Sequence, residues 1–394
     1  MENFDKVVEV CVGKLNKELP YVDMGWGEVV DYLELDMHPD NLRKMAYGYK
    51  QYYDYLQERE INNMDSDEMQ KINNKIIELK KERTRLADLR TEINKQTREQ
   101  ARFEQVLEMI SDSIDKLAKA KPLKNDKAIR IVENERKECL ICLSDLHYGI
   151  KIENEWNKFD SDIAKSRMDY IVDKAIEFGK LHNCDIANII ITGDVVNNNN
   201  HLSSRMSNRE SIAEQVVGVS ELISNAIQKL SNSFAYVSIS MCEGNHDRIY
   251  ANKSDNDYND SFIHIIRSYI KARIENLNNV IFTDNKHGND IVEINVCNKK
   301  IIAVHGDKIS QKNLIPRLTS MFGKIDYVIR GHVHTPQSET FGESTLVTVG
   351  TFSGVDTYAR QLGLICKPSQ KIMILSSNND DEIVYNIDLS KIKS

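Results

Sequence analysis

Residues 186–194 read Ile-Ala-Asn-Ile-Ile-Ile-Thr-Gly-Asp, and this stretch decides the fold. A short β-branched run that halts at a glycine and a carboxylate predicts a strand buried on both faces, turning sharply at Asp194. The same arrangement recurs on either side. Upstream, Cys139–Ser144 ends at Asp145 and His147. Downstream, Tyr236–Met241 runs into Gly244-Asn245-His246-Asp247, Lys300–Val304 closes on His305, and Tyr327–Arg330 precedes Gly331-His332-Val333-His334. A further strand is expected at Leu346–Val349, and stretches of helical character, Asp160–Leu181, Ser203–Leu230, Tyr258–Leu277 and Lys312–Phe322, lie between. Strand and helix alternate early and strands dominate late. Residues 128–394 therefore predict an α/β (α+β) domain of two stacked mixed β-sheets flanked by helices.

Ligands of α/β sheets gather beyond the carboxyl ends of the strands, so five polar clusters are expected to converge on one site. Carboxylates, an amide and imidazoles in that number suit two divalent cations ~3.5–4 Å apart, whose repulsion a shared carboxylate offsets. Asp194 is the expected bridge. Mixed imidazole and carboxylate donors favour manganese, with iron, zinc or magnesium as alternatives. Such a pair of ions lowers the pKa of a bridging water, and the resulting hydroxide attacks phosphorus in line. His246 is then placed to give the leaving alkoxide its proton, with Asp247 expected to orient the ring. Gly193, Gly244 and Gly331 would bring backbone close to the ions. His182, His201, His264 and His287 lie outside these clusters and read as ordinary surface or core residues.

The ordered set Asp145-Leu-His147, Gly193-Asp194, Gly244-Asn245-His246-Asp247, His305 and Gly331-His332-Val333-His334 resembles the five-motif signature of calcineurin-like metallophosphoesterases. The resemblance implies that Asp145, His147, Asp194 and His334 hold one metal while Asp194, Asn245, His305 and His332 hold the other, with His246 as the proton donor. Order and spacing are similar to the nuclease subunit of the double-strand-break repair complex and to phage-encoded members. In that nuclease group, helices between the second and third motifs often pair two subunits, here Ser203–Leu230. The expectation is a DNA nuclease, exo- or endonuclease, acting as a homodimer. A nucleotide or cyclic-nucleotide phosphodiesterase, its N-terminal region serving oligomerisation, is the alternative.

The remaining chain has a different texture. Residues 1–60 predict an all-α region in which Trp26–Leu35, a turn at Asp36–Pro39 and a helix over Asn41–Leu56 suggest a helix-turn-helix. On the second helix Arg43, Lys44, Tyr47 and Lys50 place cations and rings where a DNA-reading helix would carry them. A small docking domain with tyrosines in its core fits the same residues. Residues 61–127 predict a long helix or coiled-coil stalk: Met69, Ile72, Ile76, Leu79, Leu86 and Ile93 follow a three-four spacing that Arg83 and Arg90 interrupt. Lys75, Lys80, Lys81, Arg85, Lys95 and Arg98 lie outside that seam, interleaved with Glu78, Glu82 and Glu92, the pattern of a solvated surface.

Over the whole chain, a formal net charge of -8 speaks against a uniformly basic nucleic-acid binder. No apolar run approaches the ~20 residues of a membrane span, and the acidic start MENFDKVVEV lacks a signal-peptide core. Seven irregularly spaced cysteines fit a reducing compartment. Cys139 and Cys142, three apart on a strand, should face opposite sides and share neither a disulfide nor a metal. The expected location is the cytoplasm, that of the host cell if the protein is phage-encoded.

Overall fold

The computed structural model describes residues 2–18, 20–62, 66–124, 137–200, 202–257, 259–361, 363, 365–378 and 382–392. The chain forms two compact units, 1–100 and 101–394. The expected boundary between 127 and 128, and His201, lie outside the described residues.

The first unit begins with α1 (Glu2–Leu15), which the sequence reading did not single out, followed by α2 (Trp26–Tyr32), α3 (Pro39–Asn62) and most of α4 (Ser66–Lys119). Its small core joins Val7, Val10 and Cys11 of α1, Val29 and Val30 of α2, and Leu42 and Ala46 of α3. Helix α3 starts at Pro39, whose missing N–H costs nothing in a first turn. Asp40 is therefore already helical rather than preceding the helix.

In the second unit the final turns of α4 lead to β1 (Lys137–Leu143), the hairpin β2 (Ile152–Glu153) and β3 (Lys158–Phe159), α5 (Ser161–Leu181), β4 (Ile186–Thr192), α6 (Leu202–Ser207), α7 (Ile212–Ser231), β5 (Tyr236–Cys242) and α8 (Ile263–Ile274). There follow β6 (Val280–Phe282), β7 (Ile291–Val296), β8 (Lys299–Val304), α9 (Gln311–Phe322), β9 (Tyr327–Arg330), β10 (Gln337–Phe341), β11 (Ser344–Thr348), α10 (Thr357–Gln361), β12 (Ser369–Ser376) and β13 (Glu382–Asp388). One sheet has the order β13-β12-β1-β4-β5-β6, the other β10-β11-β9-β8-β7. Strands β1, β4, β5 and β6 pair in parallel, as do β8, β9 and β11.

The pleat of β1 shows how the layers stack. Cys139, Ile141 and Leu143 join the core shared with α5, α7 and α8, while Leu140 and Cys142 join Ile301, Ala303 and Ile329 between the sheets. The two cysteines thus face opposite layers, and all seven cysteines are free. A third cluster seats α9 on the outer face of the second sheet through Leu314 and Leu318. The order is helices, sheet, sheet, helix. Met109 on α4 and Leu123 beyond it, 2% and 6% exposed, belong to the large core. Arg273 Nη1 donates to Lys121 O at 2.8 Å, which ties the segment down further.

A further helix differs from expectation. Ser203–Leu230 is divided into α6 and α7, because Ser211 caps the second helix, accepting from Glu214 N while the Glu214 carboxylate accepts from Ser211 N at 2.8 Å. Asn208, in the gap, donates to Asn198 O and accepts from Asn197 Nδ2, each at 2.7 Å.

Candidate metal centre

Each motif residue sits where a buried strand stops. Asp145 and His147 follow β1, Asp194 follows β4, Asn245 and His246 follow β5, His305 follows β8, and His332 and His334 follow β9. At these ends the backbone turns into the left-handed region: φ is 52° at Asp145, 44° at His147, 50° at Asp194, 66° at His332 and 63° at His334. Non-glycine residues seldom adopt such angles, and where they do a functional constraint is the usual reason. The turns also interlock. A Cβ on Gly244 would run into the Asp194 carboxylate, and one on Gly331 into Ser144 Oγ, so both positions require glycine.

Two groups of donor atoms face each other. Asp145 Oδ1 lies 3.3 Å from His334 Nε2, and His334 Nε2 lies 3.5 Å from His147 Nε2. Asp194 Oδ2 lies 3.2 Å from His305 Nε2 and 3.8 Å from His147 Nε2, between the two groups. Asn245 Oδ1 is 3.1 Å from His305 Nε2. His332 joins Asp194 and His305 in a cluster with metal-ligand spacing, as Asp145, His147 and His334 form another.

The donor set fits divalent cations on three observations. Asp145 Oδ1 is buried beside two imidazoles, His334 Nε2 at 3.3 Å and His147 Nε2 at 3.9 Å. His305 gives its Nδ1–H to Thr192 O at 2.7 Å, which turns Nε2 inward, the outer-shell contact that metal-binding imidazoles make. The third is where protons sit without an ion. Burial works against charge on His305, yet Asp194 lifts its pKa to about 10, and His334 is raised by Asp145 in the same way. Asp194, despite burial, is held well below the ordinary carboxylate range by His305 and His246. His147 is pushed down to about 3 by burial and by His246. Each carboxylate thus favours the protonated form of the imidazole it faces, and a cation would take the proton's place.

His246 stands beside this centre, its ring centroid 4.6 Å from that of His147. Its backbone N–H donates to Asp194 Oδ1 at 2.7 Å. Asp247 does not orient the ring as the sequence suggested. Its carboxylate accepts from Gly244 N, Asp194 N and Val195 N at 2.7–2.9 Å, and from Val196 N at 3.4 Å, stapling the loops after β4 and β5 together. Burial and the neighbouring Asp194 push its pKa up. The ring of His246 is positioned by Asn197 instead, whose carbonyl is 2.8 Å from Nδ1. Asn198 holds the same loop, donating to His246 O and Arg248 O at 2.7 Å. The run of four asparagines, Asn197–Asn200, was the one signal for these two residues, and it reads as low complexity in the sequence.

The four candidate nucleic-acid contacts lie on α3 in the other unit. Arg43, Lys44 and Tyr47 are exposed, and Lys50 is half-buried. Arg43 pairs with Asp40 at 3.3 Å, and Lys50 donates to Asn16 Oδ1 at 2.7 Å. Tyr49 packs into the helical core, edge-on to Phe4, whereas Tyr52 and Tyr55 are 63% and 57% exposed. Of the other histidines, His182 meets Tyr385, His264 meets Asn289 and His287 meets Glu293. No helix among the described residues is long and apolar enough to cross a membrane.

Residues 139–370 match the calcineurin-like phosphoesterase superfamily domain, and residues 75–117 match the YonJ coiled-coil domain. An uncharacterised SPbeta prophage-derived protein, YonJ of Bacillus subtilis (strain 168), is 23% identical over 390 residues, 94% of this chain and 93% of that one. Among solved structures, an archaeal phosphodiesterase is 17% identical, covering 63% of this chain and 99% of its own, with a TM-score of 0.33. A predicted phosphoesterase from Streptococcus pneumoniae is 14% identical, covering 64% of this chain and 90% of its own, with a TM-score of 0.31. The chain belongs to the calcineurin-like phosphoesterase superfamily, whose members act on phosphoesters with divalent metal ions.

Proposed function

We propose that the protein is a two-metal phosphodiester hydrolase whose substrate is DNA and whose working form is a homodimer. The observation that carries the hydrolase is the position of Asp194 Oδ2 between His147 and His305, where one carboxylate serves both donor groups. Asp145, His147 and His334 complete one ion's shell, and Asn245, His305 and His332 the other's. Divalent ions held there would neutralise phosphate oxygens and make a water acidic enough to attack phosphorus. His246 supplies the leaving oxygen's proton from Nε2, since Nδ1 is committed to Asn197 O. The backbone is left-handed at both His332 and His334, just beyond the carboxyl end of β9.

DNA as the substrate is supported by the exposed Arg43, Lys44 and Tyr47 on α3 and by the resemblance of motif order to nucleases. Nucleotide or cyclic-nucleotide hydrolysis is favoured instead by the local pairing of Arg43 with Asp40 and of Lys50 with Asn16 and Asp54, which suits a structural helix. A substrate panel decides between them. The full chain with manganese should cleave single- or double-stranded DNA, and His246→Ala should keep both ions by elemental analysis while turnover falls about 10²- to 10⁴-fold. Inertness toward DNA alongside rapid hydrolysis of a cyclic nucleotide would overturn the DNA assignment and leave the hydrolase standing.

A further inference from the structure

Helix α4 carries apolar residues at positions seven apart: Ile72, Leu79, Leu86, Ile93, Leu107 and Ile114, with Gln100 the polar member of the row. All six apolar side chains are exposed, from 39% at Ile72 to 66% at Leu86. From Leu86 onward a second row follows three residues behind the first, at Leu89, Gln96, Phe103, Ile110 and Leu117. With the first row as the a positions and the second as d, Arg83 and Arg90 fall at e, the flank where coiled coils carry charge, and no longer interrupt the seam. Two such rows kept over four heptads mark a helix made to pack on another helix.

The seam does not stop at the end of the first unit. Within the second unit Ile110, Ile114 and Leu117 form one wall of an open groove of about 340 Å³, and Ile265, Ser268 and Tyr269 of α8 form the other. We propose that this groove receives α4 of a second copy of the chain, parallel and in register, so that the dimer seam ends on the catalytic domain. The inference rests on the homodimer proposed above and says where its interface lies. A second copy is the occupant because the row repeats at the coiled-coil period on both sides of the unit boundary. Parallel alignment follows from what meets what. Gln100 then faces its own copy, as polar seam residues that fix register do. The stretch from Phe103 to Leu117, apolar in both rows, meets its equal. End-to-end antiparallel pairing would oppose it to Lys75 and Glu82, which hold second-row positions. The result is a two-fold contact in which each α4 end packs between the α4 and the α8 of the other copy.

Sedimentation of the full chain and of surface variants tests this. Ile114→Glu and Ser268→Arg alter exposed residues, so their circular dichroism and melting should match those of the isolated wild-type monomer, while each weakens dimerisation at least about tenfold, roughly 1.4 kcal/mol. Ile114→Cys should form a disulfide with its own copy under mild oxidation. A wild-type chain that stays monomeric at high micromolar concentration overturns both the dimer and its placement. A dimer broken by Leu86→Glu but untouched by Ile114→Glu and Ser268→Arg leaves the dimer standing and overturns the groove. A persistent dimer in which Ile114→Cys fails to cross-link overturns the parallel alignment.

Discussion

Ile189, Ile190 and Ile191 on β4 are 4%, 0% and 0% exposed, whereas Ile72, Ile76 and Ile77 on α4 are 39%, 44% and 51% exposed. Full burial of such a side chain stabilises by about 1.5–3 kcal/mol. The unit 101–394 realises that stabilisation within itself, with apolar layers on both faces of its first sheet. Most of α4 realises little of it alone. The difference separates two regions: one buries its apolar side chains within itself, and the other leaves a row of them exposed along a helix.

The largest expected effect strikes the self-contained part. Asp194→Ala removes the one carboxylate shared by both donor groups, so hydrolysis should fall to background and bound metal below two ions per chain; a variant retaining both ions and full turnover would end the two-metal reading. Next in size, Met109→Ala should cost about 2–5 kcal/mol in denaturant unfolding, because Met109 is a core residue although it sits on the stalk helix. A chain beginning at Ala128 would lose it altogether and should melt well below one beginning at Ala101. Asp247→Asn should weaken metal binding by calorimetry about 10- to 100-fold, because an NH2 group replaces one of the two carboxylate oxygens that accept from four backbone N–H groups. Smallest of all, Leu79→Ala should change the stability of the isolated chain by no more than about 0.5 kcal/mol. If it costs as much as Met109→Ala, the exposed row is already buried and the contrast between the two regions disappears.

The strands and the donor residues were legible because both signals are local. A β-branched run predicts its own burial, and a His or Asp directly after it predicts a strand-end site; Ile186–Thr192 and Tyr327–Arg330 were read to the residue. What stayed hidden depends on partners distant in sequence. The role of Asp247 was misread because adjacency to His246 implied a contact, while the fold brings four N–H groups to its carboxylate first. Asn197 and Asn198 act through a carbonyl and an amide, which have no sequence signature. Helix α1 was overlooked although Val7, Cys11 and Leu15 share one face, since interspersed Glu and Lys hid its apolar stripe. The seven-residue row Ile72, Leu79, Leu86, Ile93, Leu107 and Ile114 is present in the sequence, and the structure adds that these side chains are exposed.

The left-handed backbone at five donor residues has a thermodynamic side. Asp, Asn and His tolerate that conformation better than most residues, yet each such angle costs up to about 1–3 kcal/mol and must be compensated elsewhere in the fold. Anything that binds the folded donors but not the unfolded chain raises stability in proportion to the logarithm of its concentration over its dissociation constant. The cations are therefore expected to work as a keystone as well as a reagent. Chelation should lower the melting temperature of the catalytic unit and leave the helical unit at the other end of the chain unmoved.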